Sequence, residues 1–184
     1  MQKRKFLLTQ KIIAQNITNL SDARYFAAWG VDYVSFNTIV GSDYYIDDAS
    51  IREIKDWVEG PQCLLEANAL EFEDIADGFI LSNIYSSLPI VKETFFRITF
   101  EDIVKGLPDG KYISPITEEQ ISLLDDIDYQ HLHLYFDIAE LEPKDVLRLK
   151  NFGIVVQGGE EEKVGLKSYE ELDEVYELLL DNQE

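Results

Sequence analysis

Asp137 closes the stretch Gln130–Asp137, where His131, His133, Tyr135 and Asp137 alternate with Leu132, Leu134 and Phe136. Alternation of this kind sends the two sets to opposite faces of a strand. If the apolar set faces covering helices, the polar set faces inward and Asp137 ends at the strand's C-terminal tip. A carboxyl there can exchange a proton in general acid–base work, or accept a hydrogen bond from a sugar hydroxyl. His131 and His133 lie deeper on the same face. Two histidines on one strand can ligate a metal, but the spacing fixes no third ligand. They read as a hydrogen-bonded interior layer, with no metal and no cofactor implied.

Other chemistry-bearing residues also fall at the ends of expected strands. Gln15, Asn16, Asn37, Thr38, Asn68, Ser82, Asn83, Ser114 and Gln157 form an amide- and hydroxyl-rich set. Loop starts favour Asn and Ser as caps in any case. Gln15 and Gln157 are not typical caps, which turns the reading toward a neutral polar pocket. Lys92 and Arg97 flank one strand with opposite parity, so one of them faces inward, where a cation suits a phosphate or carboxylate. Gly158-Gly159 is a candidate backbone cradle for phosphate. The acidic run Glu160-Glu161-Glu162 directly after it reads as a solvated loop.

These residues need elements to hold them. Short apolar runs alternate with amphipathic stretches throughout the chain. Strands are expected at 12–15, 33–37, 63–66, 79–82, 90–98, 111–114, 130–137 and 154–156. A helix over 20–29 has Asn19 or Ser21 as N-cap and Gly30 as its stop. Ile51, Ile54 and Val58 mark a second helix behind Asp47-Asp48. A short helix over 100–107 follows, and Thr117-Glu118-Glu119-Gln120 and Ser168-Tyr169-Glu170-Glu171 have the capping-box pattern. Pro143 opens a helix that Gly153 is expected to stop. Leu172, Val175, Tyr176 and Leu179 form one apolar face of the last helix. Only a turn or so of helix fits after strands three and four. Eight β–α units point to one small (β/α)8 barrel over 1–184, shortened after those strands.

The chain has 184 residues and a formal charge of −20. With 46% hydrophobic and 12% aromatic residues it has a globular composition. The acidity argues against nucleic-acid and anionic-membrane partners. The lone cysteine, Cys63, excludes an internal disulfide framework and a thiolate zinc cluster, and fits a reducing, cytoplasmic setting.

Three segments carry a family resemblance. Ile17-Thr18-Asn19-Leu20-Ser21-Asp22-Ala23 runs on to Ala27-Ala28-Trp29-Gly30-Val31-Asp32. Ser42-Asp43-Tyr44-Tyr45-Ile46 is followed by Arg52-Glu53-Ile54. Gly159-Glu160-Glu161, Gly165 and Lys167 lie near the C-terminus. In order and spacing they resemble phosphoribosylanthranilate isomerase, a (β/α)8 enzyme of tryptophan biosynthesis. The resemblance implies an intramolecular aldose–ketose isomerisation, an Amadori rearrangement with a cysteine base after strand one and an aspartic acid after strand six.

Carried over by position, the cysteine falls on Gln15 and its following glycine on Asn16. The acid falls near Ser114 or Pro115. The loop arginine that grips the substrate carboxylate matches Tyr44, and the family's phosphate-loop glycines fall on Pro115-Ile116-Thr117 and Phe136-Asp137-Ile138. Of the family's phosphate glycines only Gly158-Gly159 remain. A glutamine amide has no proton equilibrium near neutral pH, so the family's base is gone and Asp137 is the best acidic candidate. The expectation is a diverged member, a monomer or weak homodimer, that binds a small polar or phosphorylated metabolite at a nearly neutral barrel mouth. Its candidate catalytic residues are Asp137, Gln15 and Ser114. Its candidate ligand-binding residues are Asn16, Asn37, Asn83, Arg97, Gln157, Gly158 and Gly159. Two alternatives stand beside it: an authentic isomerase with relocated acid and base, and a non-catalytic acidic scaffold for a basic partner.

Overall fold

The computed structural model describes residues 10–67, 74–82, 92–158 and 169–182, and the backbone of 161–163 and 166–167. Eight parallel strands close into a barrel in sequence order: β1 (Ile12–Gln15), β2 (Tyr33–Asn37), β3 (Gln62–Glu66), β4 (Gly78–Leu81), β5 (Glu93–Arg97), β6 (Gly110–Pro115), β7 (Leu132–Asp137) and β8 (Gly153–Gln157). Parallel pairing needs crossovers, and helices covering the outside bury both faces of the strands. That is why Ile12–Gln15 and Gly78–Leu81 are buried at every position.

The interior holds Ile13, Tyr33, Leu64, Ile80, Phe95, Ile113, Tyr135 and Val155, one from each strand. Residues of opposite parity, such as Ile12, Val34, Leu65, Tyr112, Leu134, Phe136, Ile154 and Val156, join the layer between strands and helices. Pairing sets which tips are neighbours: Gln15 is opposite Gln157, Asn37 opposite Glu66, and Pro115 opposite Asp137.

Helix α1 (Leu20–Trp29) starts at Asn19, whose side chain accepts from the Asp22 N–H at 2.9 Å. It ends at Gly30, whose φ of +76° is a left-handed cap that a side chain resists. Helix α2 (Asp48–Trp57) is capped by Asp47, which accepts from the Ser50 N–H. Helix α3 (Phe100–Lys105) is followed by α4 (Glu118–Ile121), where Gln120 Oε1 accepts from the Thr117 N–H at 3.0 Å as the capping box requires. Helix α5 (Pro143–Val146) and helix α6 (Glu170–Asp181) complete the outer layer. From β3 to β5 the chain shows no helix among the described residues. The shortened connections expected there fall largely on 68–73 and 83–91, outside those residues.

Four expectations change. Gly153 does not stop the helix opened by Pro143. That helix gives way to a 3-10 turn over Leu147–Leu149, and Gly153 instead opens β8 beneath the Tyr135 ring, where a Cβ would lie 2.2 Å from Cδ1. The last helix starts one residue later than the Ser168 capping box implies, with Tyr169 at the N-cap and no side-chain cap bond. Within the run after β8, Glu161–Lys163 pairs antiparallel with Leu166–Lys167 as β9 and β10, a hairpin the pattern did not indicate. His131 and His133 form no interior layer. Both are exposed at the lower end of β7, and the His131 ring meets the Leu107 carbonyl at 3.0 Å.

Candidate functional site

The C-terminal tips of β1, β3, β5 and β7 project Gln15, Glu66, Arg97 and Asp137 on the inward parity of Ile13, Leu64, Phe95 and Tyr135. Alternate strands thus contribute one four-membered layer, as barrel geometry demands. The four side chains are hydrogen-bonded in a row. Arg97 grips Glu66 through both carboxylate oxygens, Nε–Oε1 at 2.5 Å and Nη2–Oε2 at 2.8 Å. The same Nη2 donates to Gln15 Oε1 at 2.9 Å. Gln15 Nε2 donates to Asp137 Oδ2 at 2.7 Å, and the Ala139 N–H donates to Asp137 Oδ1 at 3.1 Å.

The order of partners fixes the Gln15 amide. A guanidinium only donates, so it must face the carbonyl oxygen, and the carboxylate must face the amino group. Glu66 is 6% exposed and Gln15 is 4% exposed, so the pairings are made away from bulk water. A buried carboxylate persists only when paired in this way. Among the described residues the mouth is therefore not nearly neutral: it carries two carboxylates and one guanidinium.

A second pair lies beside the first. Asn16 adopts a φ of +57°, which Asn tolerates better than other residues with a side chain. Its Nδ2 donates to Gln157 Oε1 at 2.9 Å, tying the start of the first loop to the tip of β8. Next to Gln157, Gly158 lies over Asp22, and a Cβ at Gly158 would meet the Asp22 carboxyl at 3.3 Å. Asp22 is buried and accepts from Tyr169 Oη and, at 2.9 Å, from Asn19 Nδ2.

Other candidates fall elsewhere. Ser114 is buried on the parity of Tyr112 and Ile116, which pack in the outer layer, and its hydroxyl donates to the Pro115 carbonyl at 2.9 Å. It is no part of the mouth chemistry. Asn37 reaches the inward face but uses Oδ1 to accept from the Ile39 N–H at 3.0 Å, shaping its own loop as a cap does. Lys92 points to the Ala76 carbonyl at 2.7 Å, which leaves Arg97 as the inward cation. Cys63 is buried, and burial pushes its thiol up to about 12, so it supplies no thiolate base. Asn68, Asn83 and Gly159 lie outside the described residues. Among those residues no cluster of three metal-ligating side chains occurs, and no helix is long and apolar enough to cross a membrane.

Glu66 and Asp22 were not singled out from the sequence. The signal for Glu66 was its place two residues beyond Leu64 at the end of an apolar run, on the face where Arg97 also arrives. Asp22 reads from sequence as an ordinary first-turn acid, and only the fold puts it under Gly158.

Neither a family model nor a curated protein sequence matches the chain. Solved structures do. Monomers generated from the dimeric phosphoribosylanthranilate isomerase of Thermotoga maritima superpose with a TM-score of 0.69 at 17% identity, covering 94% of this chain and 99% of that one. The enzyme of Thermus thermophilus gives 0.68 at 16% identity, again over 94% and 99%. A further structure, of phosphoribosylanthranilate isomerase in complex with reduced 1-(o-carboxyphenylamino)-1-deoxyribulose 5-phosphate, gives 0.70 at 17% identity over 92% and 97%. The chain has the fold of these enzymes across nearly its whole length.

Proposed function

We propose that this chain binds a small polar metabolite at the C-terminal mouth of its barrel and has left the isomerase chemistry of the proteins it resembles. The observation that carries this reading is the Gln15 amide, held between Arg97 Nη2 at 2.9 Å and Asp137 Oδ2 at 2.7 Å. In the resemblance, Gln15 stands where the proton-abstracting cysteine belongs. An amide fixed in this way cannot abstract a proton. Each missing proton-transfer group is worth about 10²–10⁴-fold in rate. Asp137 retains acceptor capacity beyond its two existing bonds and suits a ligand hydroxyl. Among the described residues, two carboxylates against one guanidinium at the mouth favour an uncharged hydroxylated ligand over a phosphorylated one.

The test is a thermal-shift screen of paired sugars and sugar phosphates, such as ribose and ribose 5-phosphate, on the intact chain. A ligand held near 100 times its Kd stabilises the fold by about 2.7 kcal/mol. The expected hits are uncharged, and Asp137→Asn weakens them. Hits confined to phosphate esters would overturn the ligand class.

One observation favours a second reading, that of an isomerase with relocated groups: Asp137 does reach the mouth as a carboxyl. A steady-state assay with freshly made phosphoribosylanthranilate decides between them. No turnover is expected. Turnover abolished by Asp137→Ala would establish the second reading.

A further inference from the structure

The inward parity of the even strands carries a second layer of side chains at the mouth. Asn37 closes β2, Pro115 closes β6 and Gln157 closes β8, on the parity of interior Tyr33, Ile113 and Val155. Register sets Asn37 opposite Glu66, Pro115 opposite Asp137 and Gln157 opposite Gln15. Alternate strands of a barrel fill alternate layers. These three residues therefore lie one step nearer the opening than the charged row, and none of them is charged.

Asn37 is 8% exposed. Its Oδ1 accepts from the Ile39 N–H at 3.0 Å, and its main-chain carbonyl accepts from the Ile46 N–H at 3.0 Å. The residue is thus held from both sides. A main-chain N–H only donates, so Ile39 fixes Oδ1 on the loop side and turns Nδ2 away from the loop. The two N–H groups of Nδ2 have no partner among the described residues. Donors so little exposed to water are normally paired, and a ligand oxygen would pair them. Gln157 engages Asn16 with one end of its amide at 2.9 Å and, among the described residues, nothing with the other. Asp137 has acceptor lone pairs beyond its bonds to Gln15 and Ala139.

We propose that Asn37 is the donor that selects the ligand of the mouth, and that this ligand is a neutral cyclic polyol with hydroxyls on adjacent carbons. The proposal rests on the mouth reading above and names its ligand class. One hydroxyl donates to Asp137, and the oxygens beside it accept from Asn37 and Gln157. Strands β2 and β8 flank β1, roughly 10 Å apart at two strand spacings. Their inward amides converge over Gln15 and reach oxygens on adjacent carbons. A lone hydroxyl satisfies only part of this set. A ring holds adjacent oxygens at a fixed spacing, whereas an open chain gives up torsional freedom to match them.

The test titrates the intact chain with ribose, ribitol and cyclopentanol, followed by NMR of main-chain and side-chain amides. Ribose is expected to bind saturably, to shift the Asn37 Nδ2 proton pair, and to bind about tenfold more tightly than ribitol or cyclopentanol. Asn37→Ser shortens the side chain but keeps an oxygen for the Ile39 N–H. It is expected to weaken ribose about tenfold while the Ile39 amide stays protected from hydrogen exchange. Ribose that saturates without moving the Asn37 signal, or that binds Asn37→Ser as tightly, would overturn the proposal and leave the mouth reading standing. Ribitol binding as tightly as ribose would do the same. No saturable ribose binding up to about 10 mM, or ribose binding indifferent to Asp137→Asn, would overturn the mouth reading and the proposal with it.

Discussion

Arg97 is the residue on which the mouth depends. It satisfies both oxygens of Glu66 and the carbonyl of Gln15, and Gln15 in turn holds Asp137. Removing it leaves a carboxylate that is 6% exposed with no cation. Breaking a buried pair from one side costs more than replacing both partners with apolar groups. Arg97→Met is therefore expected to destabilise the fold by about 3 kcal/mol, and Glu66→Leu with Arg97→Met to recover at least half of that. Urea midpoints of the two variants at neutral pH check it; equal losses in both would show that the pair does not carry the cost. At this scale the sequence was partly legible. Gln15, Arg97 and Asp137 stand out because amides and charges are unusual at the tips of apolar strands. Glu66 carries the same signal at the end of β3, but its role is set by a partner 31 positions away. Ser114 misled because a hydroxyl at a strand tip has the right type and the wrong parity.

At the scale of elements, legibility followed the strength of the local signal. Asn19 and Gly30 bracket α1 as expected because caps are decided within a few residues. Gly153 shows the opposite case. Its role is set by the Tyr135 ring of the neighbouring strand, which occupies the space a side chain would need. A glycine before a strand looks the same in sequence whether it ends one element or admits a ring from another. Gly153→Ala is expected to cost about 1–3 kcal/mol, the price of overpacking a filled interior. Tyr135→Leu in the same chain should recover part of it, although that change also gives up the edge-to-face contact with Phe95 at 5.2 Å. Chemical denaturation of the single and double variants measures the coupling, and simple additivity would refute the steric account. The β9–β10 hairpin was illegible for a related reason, since Glu161–Lys163 carries none of the apolar alternation that marks a strand.

For the whole molecule, the −20 charge acts on solubility and self-repulsion, while the interior carries a pH dependence of its own. Tyr33 and Tyr135 sit inside the barrel, and burial raises both phenols to about 12, with nearby Asp32 pushing the same way. Burial also pushes up Tyr25, Tyr169 and Tyr176, with Asp173 or Asp22 adding to it. A phenol whose folded value lies above its unfolded value of about 10 binds its proton more tightly in the fold. Its contribution to stability is complete below about pH 10 and is lost as pH rises from there through about 12. The unfolding free energy is therefore expected to fall steeply across that interval, as tyrosinate absorbance rises with unfolding. Screening by high salt relieves the repulsion among surface carboxylates but leaves the buried phenols unscreened, so the alkaline loss should persist in salt. Tyr135→Phe should shallow the pH slope without changing the fold, because the ring and its contacts with Phe95 remain. A slope that vanished in high salt and was unchanged in Tyr135→Phe would place the alkaline sensitivity on the surface charge and not on the aromatic interior.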